Sequence, residues 1–534
     1  MSLCALRDLV ITLSYHFPMI LSFFRLAVVF RGVPYSSSAE VDFLFSNRQW
    51  NHTFTVKMRR QMTNSILFII QLCYTSLVYL ASKNTVAFQA SGSTNRKFRS
   101  ESFFRYDQNN HLSKLQAAIP TWQEIQEALP NVSVDPTATI IDAALPEHQN
   151  TPPPYSSDRP TLFRERHGWC PYSERVWLAL EHKGILYDTI RIDNTGPGRK
   201  PKYFSGQTPQ MRWPDGSIQG DSMDLVENLE SPNSPSLYPS FQADCIDSSI
   251  SQFMSIFPSG LRPSSRAAFL FSWNGEPLFK HDFEKTLKRT NELLEDNGSG
   301  PFFCGSDMTA ADVAWAPFLE RYAAQLPCFY ESLNPKDPDL YPQLAQWYQA
   351  METTIPAYRC RVMGDESSWR KGLMMAGYGN AGNVPSLIKN RMDKKEMDLG
   401  EEIRQSMDLG HSSQLDLDLW KEYSKNRPWL ASTPAKEAAS VIWKNKDYIV
   451  KDVQKFIKAP FNRTALPNGP ALDIALRELV SLLLTAGTFQ DMENISHNTV
   501  VIAAFLDERM CVPRDMGAPC AFTIKRIAKI FDFK

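Results

Sequence analysis

The stretch Arg159–Val176, RPTLFRERHGWCPYSERV, constrains the fold of this chain more than any other. Thr161–Arg166 mixes apolar and charged residues and predicts a strand, followed by a tight turn at His167-Gly168-Trp169. A helix is expected to open at Cys170-Pro171, because proline at the first helical position loses no hydrogen bond and already has a helical φ. Tyr172, Val176, Ala179 and Leu180 then fall at i, i+4, i+7 and i+8, one apolar face. Gly184 is the expected stop, with Lys183 in the last turn where a cation suits the helix dipole. A thiol at Cys170 would face unpaired N–H groups and the positive end of that dipole, which favour the thiolate, the nucleophilic form. A lone cysteine is more often a small buried residue; strand, turn, Cys-Pro and amphipathic helix together favour chemistry.

Ser173 stands where a second cysteine would complete a C-x-x-C pair, so a disulfide within this motif is excluded. A single activated thiol takes its disulfide partner from elsewhere, and the commonest small partner is glutathione. WCPYSERV resembles the active-site turn of cysteine-type glutathione transferases (omega, lambda and dehydroascorbate-reductase classes) and of monothiol-acting glutaredoxins. The resemblance implies an α/β thioredoxin-like N-terminal domain, an all-α C-terminal domain, and Cys170 as catalytic residue, with Pro171 and Tyr172 lining the glutathione site. It makes Ile185–Ile192 the second strand and Gly198–Phe204 the second-helix region, with Lys200 on a glutathione carboxylate. Thr208 and a cis Pro209 would pair with the cysteinyl backbone. Asp221 and Ser222 would open a helix that takes the γ-glutamyl end, Ser222 binding its carboxylate and Asp221 its amino group. Pro214-Asp215-Gly216 independently predicts a hairpin turn, since proline presets φ and glycine accepts positive φ.

With 57 basic and 58 acidic residues the net charge is −1, which gives no global electrostatic case for nucleic acid. Nine scattered cysteines without metal spacing argue against both a disulfide scaffold and a metal site, and a reducing compartment fits best. Residues 1–105 read as a targeting region, largely disordered or hydrophobic. Asn64–Ala81 is apolar behind Lys57, Arg59 and Arg60, and Ser82–Ser100 carries Lys83, Arg96, Lys97 and Arg99 with no acid. That sequence of signals, with Phe88 after a candidate cleavage point, resembles the bipartite presequences of algae with secondary plastids. An ordinary secretory signal or a membrane anchor stays open, as does a cytosolic location should residues 1–57 be an over-extended start.

Residues 106–157 read as a linker with one short helix at Thr121–Leu129, and 158–230 as the thioredoxin-like, glutathione-binding domain. Residues 240–391 read as the all-helical domain. Within it GSDMTAADVAWAP carries Thr309 as N-cap and Asp312 three residues on, a capping box with Met308 and Val313 as staple. Asp393–Asp418 reads as a solvated connector, although Glu401–Met407 could be helical, and 420–534 as a helical extension with separate helices at Pro434–Lys446 and Tyr448–Ile457. VPRDM at 512–516 either packs as a turn or binds a ligand. The reaction implied by the resemblance is glutathione-dependent thiol transfer on a small-molecule or glutathionylated-protein substrate, through a Cys170–glutathione mixed disulfide. A non-catalytic glutathione- or protein-binding module is the alternative. A homodimer is left open.

Overall fold

The computed structural model divides into two compact units, Met1–Tyr106 and Asp107–Lys534. It describes the backbone of residues 10–15, 24–31, 38–46 and 51–59, and then residues 119–129, 140–143, 145, 148–194, 199–257, 270, 279–296, 300–377, 384–405, 413–457, 466–485 and 495–529.

The first unit contains an antiparallel sheet in the order β1 (Val10–Tyr15), β2 (Phe24–Arg31), β3 (Ser38–Ser46) and β4 (Asn51–Arg59). Val28 sits opposite Phe43, and Phe43 opposite Phe54. The expectation is a targeting region, largely disordered or hydrophobic, and it foresees no sheet. The physical reason is visible in β4, where His52, Phe54, Val56 and Met58 alternate with Thr53, Thr55, Lys57 and Arg59, a strand period. The Asn64–Ala81 run, Ser82–Ser100 and Phe88 lie outside the described residues. Among the described residues no helix is long and apolar enough to cross a membrane.

The second unit begins with α1 (Trp122–Ala128), capped reciprocally by Thr121 and Glu124. A mixed sheet follows, with β5 (Ile140–Asp142), β6 (Thr161–Glu165), β7 (Asp188–Ile192), β8 (Gln210–Arg212) and β9 (Ile218–Gln219) in the order β5-β7-β6-β8-β9. β6 and β7 are parallel, joined by helix α2 (Pro171–Lys183) in a βαβ crossover. β8 is antiparallel to β6, and β9 to β8. Residues 106–157 are therefore more than a linker: Ile140–Asp142 supplies the edge strand beside β7. The expected second-helix region, by contrast, is a run of turns from 199 to 209 among the described residues. Prolines at 201 and 209 and Gly206 break any helical run there.

Helix α3 (Ser222–Asn228) closes the thioredoxin-like module, giving the α/β fold followed by a helical array. That array runs α4 (Ala243–Ile256), α5 (Lys280–Asp296), α6 (Ala310–Phe329), α7 (Pro342–Thr354), α8 (Glu366–Gly372), α9 (Ser386–Gln405), α10 (Gln414–Ser424), α11 (Pro434–Ile457), α12 (Gly469–Thr485), α13 (His497–Arg509) and α14 (Ala518–Lys529). α6 is its axis and is buried along almost its whole length. Thr309 and Asp312 form the reciprocal cap at its start. Asp312 also accepts from the Phe303 N–H at 3.0 Å and the Trp347 indole at 2.9 Å, so one carboxylate ties three segments together.

Two expectations about the C-terminal third are corrected. Asp393–Gln405 is not a solvated connector but the second half of α9, held by Arg370–Glu396 at 2.6 Å and by Arg391 on the Phe329 carbonyl at 2.6 Å. Pro434–Ile457 is one continuous helix of 24 residues, because nothing in Asn445-Lys446-Asp447 stops it. Helix α1 docks on α12, with the Trp122 indole donating to Asp473 at 2.7 Å and Arg477 donating to the Pro120 carbonyl at 2.8 Å. Two of the scattered cysteines pair. Cys245 of α4 and Cys304 before α6 form a disulfide, their Cα atoms 5.9 Å apart. Sequence spacing is silent on a pair 59 residues apart that folding brings together.

Candidate active site

The expected strand, turn and helix converge on Cys170. Thr161–Glu165 is buried on both faces, α2 starts at Pro171 with Cys170 as its N-cap, and Gly184 ends it. The α2 face is broader than its apolar periodicity implies: Ser173, Glu174 and Arg175 are buried as well as Val176, Ala179 and Leu180. The sheet covers one side of the helix and α6 the other, so polar residues are enclosed too.

The turn before Cys170 is held by a residue the sequence reading did not single out. The Glu165 carboxylate accepts from the N–H groups of His167 (2.8 Å) and Trp169 (2.7 Å) and lies 2.9 Å from His167 Nδ1. Burial pushes this carboxyl up, but those hydrogen bonds outweigh it and hold it below its ordinary value. Gly168 supplies the positive φ of 78° that lets the chain reverse there. His167 and Trp169 stack with centroids 4.6 Å apart.

Cys170 is only 5% exposed, and its thiol donates to the Thr208 carbonyl at 3.7 Å. Thr208–Pro209 is a cis peptide, and Pro209 leads straight into β8. Burial pushes the Cys170 thiol up, while the Ser173 hydroxyl and N–H pull it down and Glu165 opposes them. The net direction is upward, which corrects the expectation of a thiolate favoured at rest. The helix end contributes as expected, but it is outweighed by desolvation of an enclosed sulfur. Tyr172 packs edge-on to Phe318 of α6, with centroids 5.7 Å apart.

Asp221 caps α3 with φ 63°, a strained conformation for a residue with a Cβ, and its Oδ1 accepts from the Met223 N–H at 3.0 Å. Ser222 is buried, and its Oγ accepts from Arg175 Nη1 at 3.3 Å. Cys170, Thr208, Pro209, Asp221, Ser222 and Tyr172 thus belong to one neighbourhood, linked through α2 and Arg175. Lys200 is turned instead to its own loop, with Nζ on the Gly206 carbonyl at 2.5 Å. Among the described residues no group of three or more His, Cys, Asp or Glu side chains is placed to hold a metal ion.

Two family profiles match this region: glutathione S-transferase, N-terminal domain, over residues 169–231, and glutathione S-transferase, C-terminal domain, over residues 279–350. Residues 169–231 and 279–350 are thus the two domains of the glutathione S-transferase family. Similar proteins include Glutathione S-transferase L1 of Arabidopsis thaliana, 25% identical over 41% of this chain and 90% of that protein. Glutathione S-transferase L2, chloroplastic, from the same plant is 27% identical over 35% of this chain and 62% of its own length. Glutathione S-transferase DHAR2, also of Arabidopsis thaliana, is 31% identical over 28% of this chain and 66% of its own. The matched segments include Cys170 and the Thr309–Asp312 cap and leave the C-terminal helices beyond residue 350 outside both profiles.

Those unmatched helices nevertheless reach the site. Cys511 donates its thiol to the His167 carbonyl at 3.4 Å, and Arg191 of β7 donates to the Arg514 carbonyl at 2.9 Å. Arg361 donates to the Pro513 carbonyl at 2.9 Å, and Val512 N–H to Ser368 Oγ at 2.9 Å. VPRDM is therefore a packed turn against the motif that precedes Cys170. Arg321 of α6 comes from another side, with Nη2 on the Trp169 carbonyl at 3.2 Å and on Glu174 at 2.8 Å. No local pattern marks Arg321 or Cys511, because their role depends on contacts more than 150 residues away in the chain.

Proposed function

We propose that this chain is a glutathione-dependent thiol transferase in which Cys170 is the nucleophile. The carrying observation is Cys170 at the N-cap of α2 beside the carbonyl that precedes cis-Pro209, with Ser173 in place of a resolving thiol. The Cys170 thiolate attacks the glutathione sulfur of a glutathionylated substrate; the Cys170–glutathione disulfide forms and the substrate thiol leaves with the electron pair. A second glutathione thiolate then attacks the glutathione sulfur of that disulfide, releasing oxidised glutathione and restoring Cys170. Pro171, Tyr172, Thr208 and Pro209 frame the cysteinyl part of glutathione, and Asp221 and Ser222 its γ-glutamyl end. Lys200 reaches a glutathione carboxylate only by leaving the Gly206 carbonyl. The enclosed, upward-shifted thiol favours a second reading, a non-catalytic glutathione- or protein-binding module.

Incubating the purified chain with oxidised glutathione and measuring intact mass separates the two. One added glutathione is expected, lost together with thiol transfer in Cys170→Ser. A variant that keeps its transfer rate would refute the mechanism.

The place of action on this reading is a plastid reached through the secretory route. Its support is the basic, acid-free composition of Ser82–Ser100 after an apolar run. A fusion of residues 58–110 to a fluorescent protein in an alga with secondary plastids tests this. Fluorescence in the plastid is expected; confinement to the medium, the endoplasmic reticulum or the cytosol contradicts it.

A further inference from the structure

Among the described residues Arg175 is a buried cation with no acidic side chain in salt-bridge contact. It is 6% exposed, with Nε donating to the Ala314 carbonyl at 2.9 Å and Nη1 to Ser222 Oγ at 3.3 Å. The rings of Tyr172, Phe253 and Phe318 surround its Cζ at 5.2, 4.9 and 5.2 Å. Among the described residues no carboxylate oxygen lies within 4.0 Å of it. Asp221 acts on it only at longer range, as does Cys170, and the Asp221 Oδ1 is engaged by the Met223 N–H. Burial lowers its pKa to about 10, which leaves it charged at neutral pH. Buried charges are ordinarily paired, and three aromatic faces offset only part of the desolvation cost.

The contact with Ser222 has a directional consequence. A serine hydroxyl has one proton and two lone pairs, and here one lone pair is taken by Arg175. Among the described residues the Ser222 proton has no acceptor of its own. An anion seated on that hydroxyl would receive the proton and also provide the counter-charge that Arg175 lacks.

The geometry points to Arg175 as the positioning residue of a carboxylate subsite: it turns the Ser222 proton outward and supplies the fixed positive charge behind it. The ligand class is a free α-carboxylate; on the glutathione reading, on which this assignment rests, it is that of the γ-glutamyl residue. Arg175 does not touch the ligand. It acts through Ser222 and through the field of a cation enclosed in a poorly screening, aromatic surrounding.

The test is a cycle between residue and ligand, read by titration calorimetry. The ligands are S-methylglutathione, which forms no disulfide, and its analogue with the γ-glutamyl α-carboxylate converted to the amide. Arg175→Gln is expected to raise the Kd of S-methylglutathione about 10- to 100-fold, and that of the amide less than about threefold. A purely structural arginine would weaken both ligands equally, and that result overturns the assignment. Arg175→Lys keeps a cation in the same aromatic cage and is expected to restore most of the preference for the carboxylate; a lysine variant no better than the glutamine one overturns it also. Should Arg175→Gln fail to fold, Ser222→Ala takes its place, and an undiminished carboxylate preference there is equally fatal. A wild-type chain that binds neither ligand refutes the glutathione reading itself, whereas binding with parallel losses refutes only the role of Arg175.

Discussion

At Ser222, binding and nucleophile chemistry are separable. The groups that act most on the Cys170 thiol are its burial, Ser173, Glu165 and Thr208, all belonging to the turn, to the start of α2 or to the cis-proline loop. Ser222 belongs to α3 and is tied to Arg175. Ser222→Ala is therefore expected to raise the KM for glutathione by a factor matching about 1.5–3 kcal/mol, the loss of a charge-assisted hydrogen bond. The pH dependence of Cys170 alkylation should meanwhile move by less than about one unit. A shifted alkylation profile with an unchanged KM would show that the hydroxyl serves the thiol and not the ligand.

The contact between α2 and α6 concentrates charge in a place that excludes water. Glu174 and Glu320 are both buried and share one cation, Arg321, which also stacks 3.8 Å from the Trp369 ring. Glu320 accepts from the Gly364 N–H at 2.5 Å, from the Trp369 indole at 2.5 Å and from the Tyr358 hydroxyl at 3.2 Å. Burial first, and then the neighbouring Glu174, push the Glu320 carboxyl well above its ordinary value, so it keeps a proton that faces Glu174. A carboxyl raised in the folded state binds more protons folded than unfolded. Its stabilising contribution is full below the ordinary carboxyl pKa and is lost as pH rises through the folded value. Glu320→Gln keeps the shape and removes the titration. Thermal unfolding of the wild type should thus lose stability more steeply than the variant as pH rises above the ordinary carboxyl range. Equal slopes would mean that Glu320 does not keep its proton in the folded state.

Across the second unit, the helices beyond residue 350 are integral to the fold. Lys525 of α14 is buried with Asp507 at 2.8 Å, Asp365 at 3.5 Å and Ser367 Oγ at 3.0 Å, and these acids push its pKa upward against the effect of burial. Gly517, just before α14, lies so close to the Cys360 carbonyl that a Cβ would overlap it. Gly517→Ala must displace α14 from the 358–362 turn, and with it the Cys511–Asp515 turn that braces His167 and Arg191. A stability loss of about 3 kcal/mol is expected, within the range for overpacking, together with faster alkylation of Cys170. Chemical denaturation and alkylation kinetics check the two effects; a variant as stable and as slowly alkylated as the wild type would show that the extension does not brace the site.

Local physics explains why part of the architecture can be read from the residues alone. A proline at the first helical position, the mixed apolar and charged run of β6 and 3.6-residue periodicity in α2 act within a few residues, so the βαβ motif, Cys170 as its N-cap and the Thr309–Asp312 cap are legible in order along the chain. The same local reasoning misses the continuity of Pro434–Ile457 only because a polar patch resembles a break. The balance at Cys170 was not legible: the dipole is a property of one helix, but desolvation depends on everything packed over the sulfur. The same holds for Arg175, Glu320, Arg321 and the 511–515 turn, whose partners come from distant segments. Burial and long-range pairing exist only once the chain has folded, and they alone decided whether the Cys170 thiol rests ionised and which residues brace it.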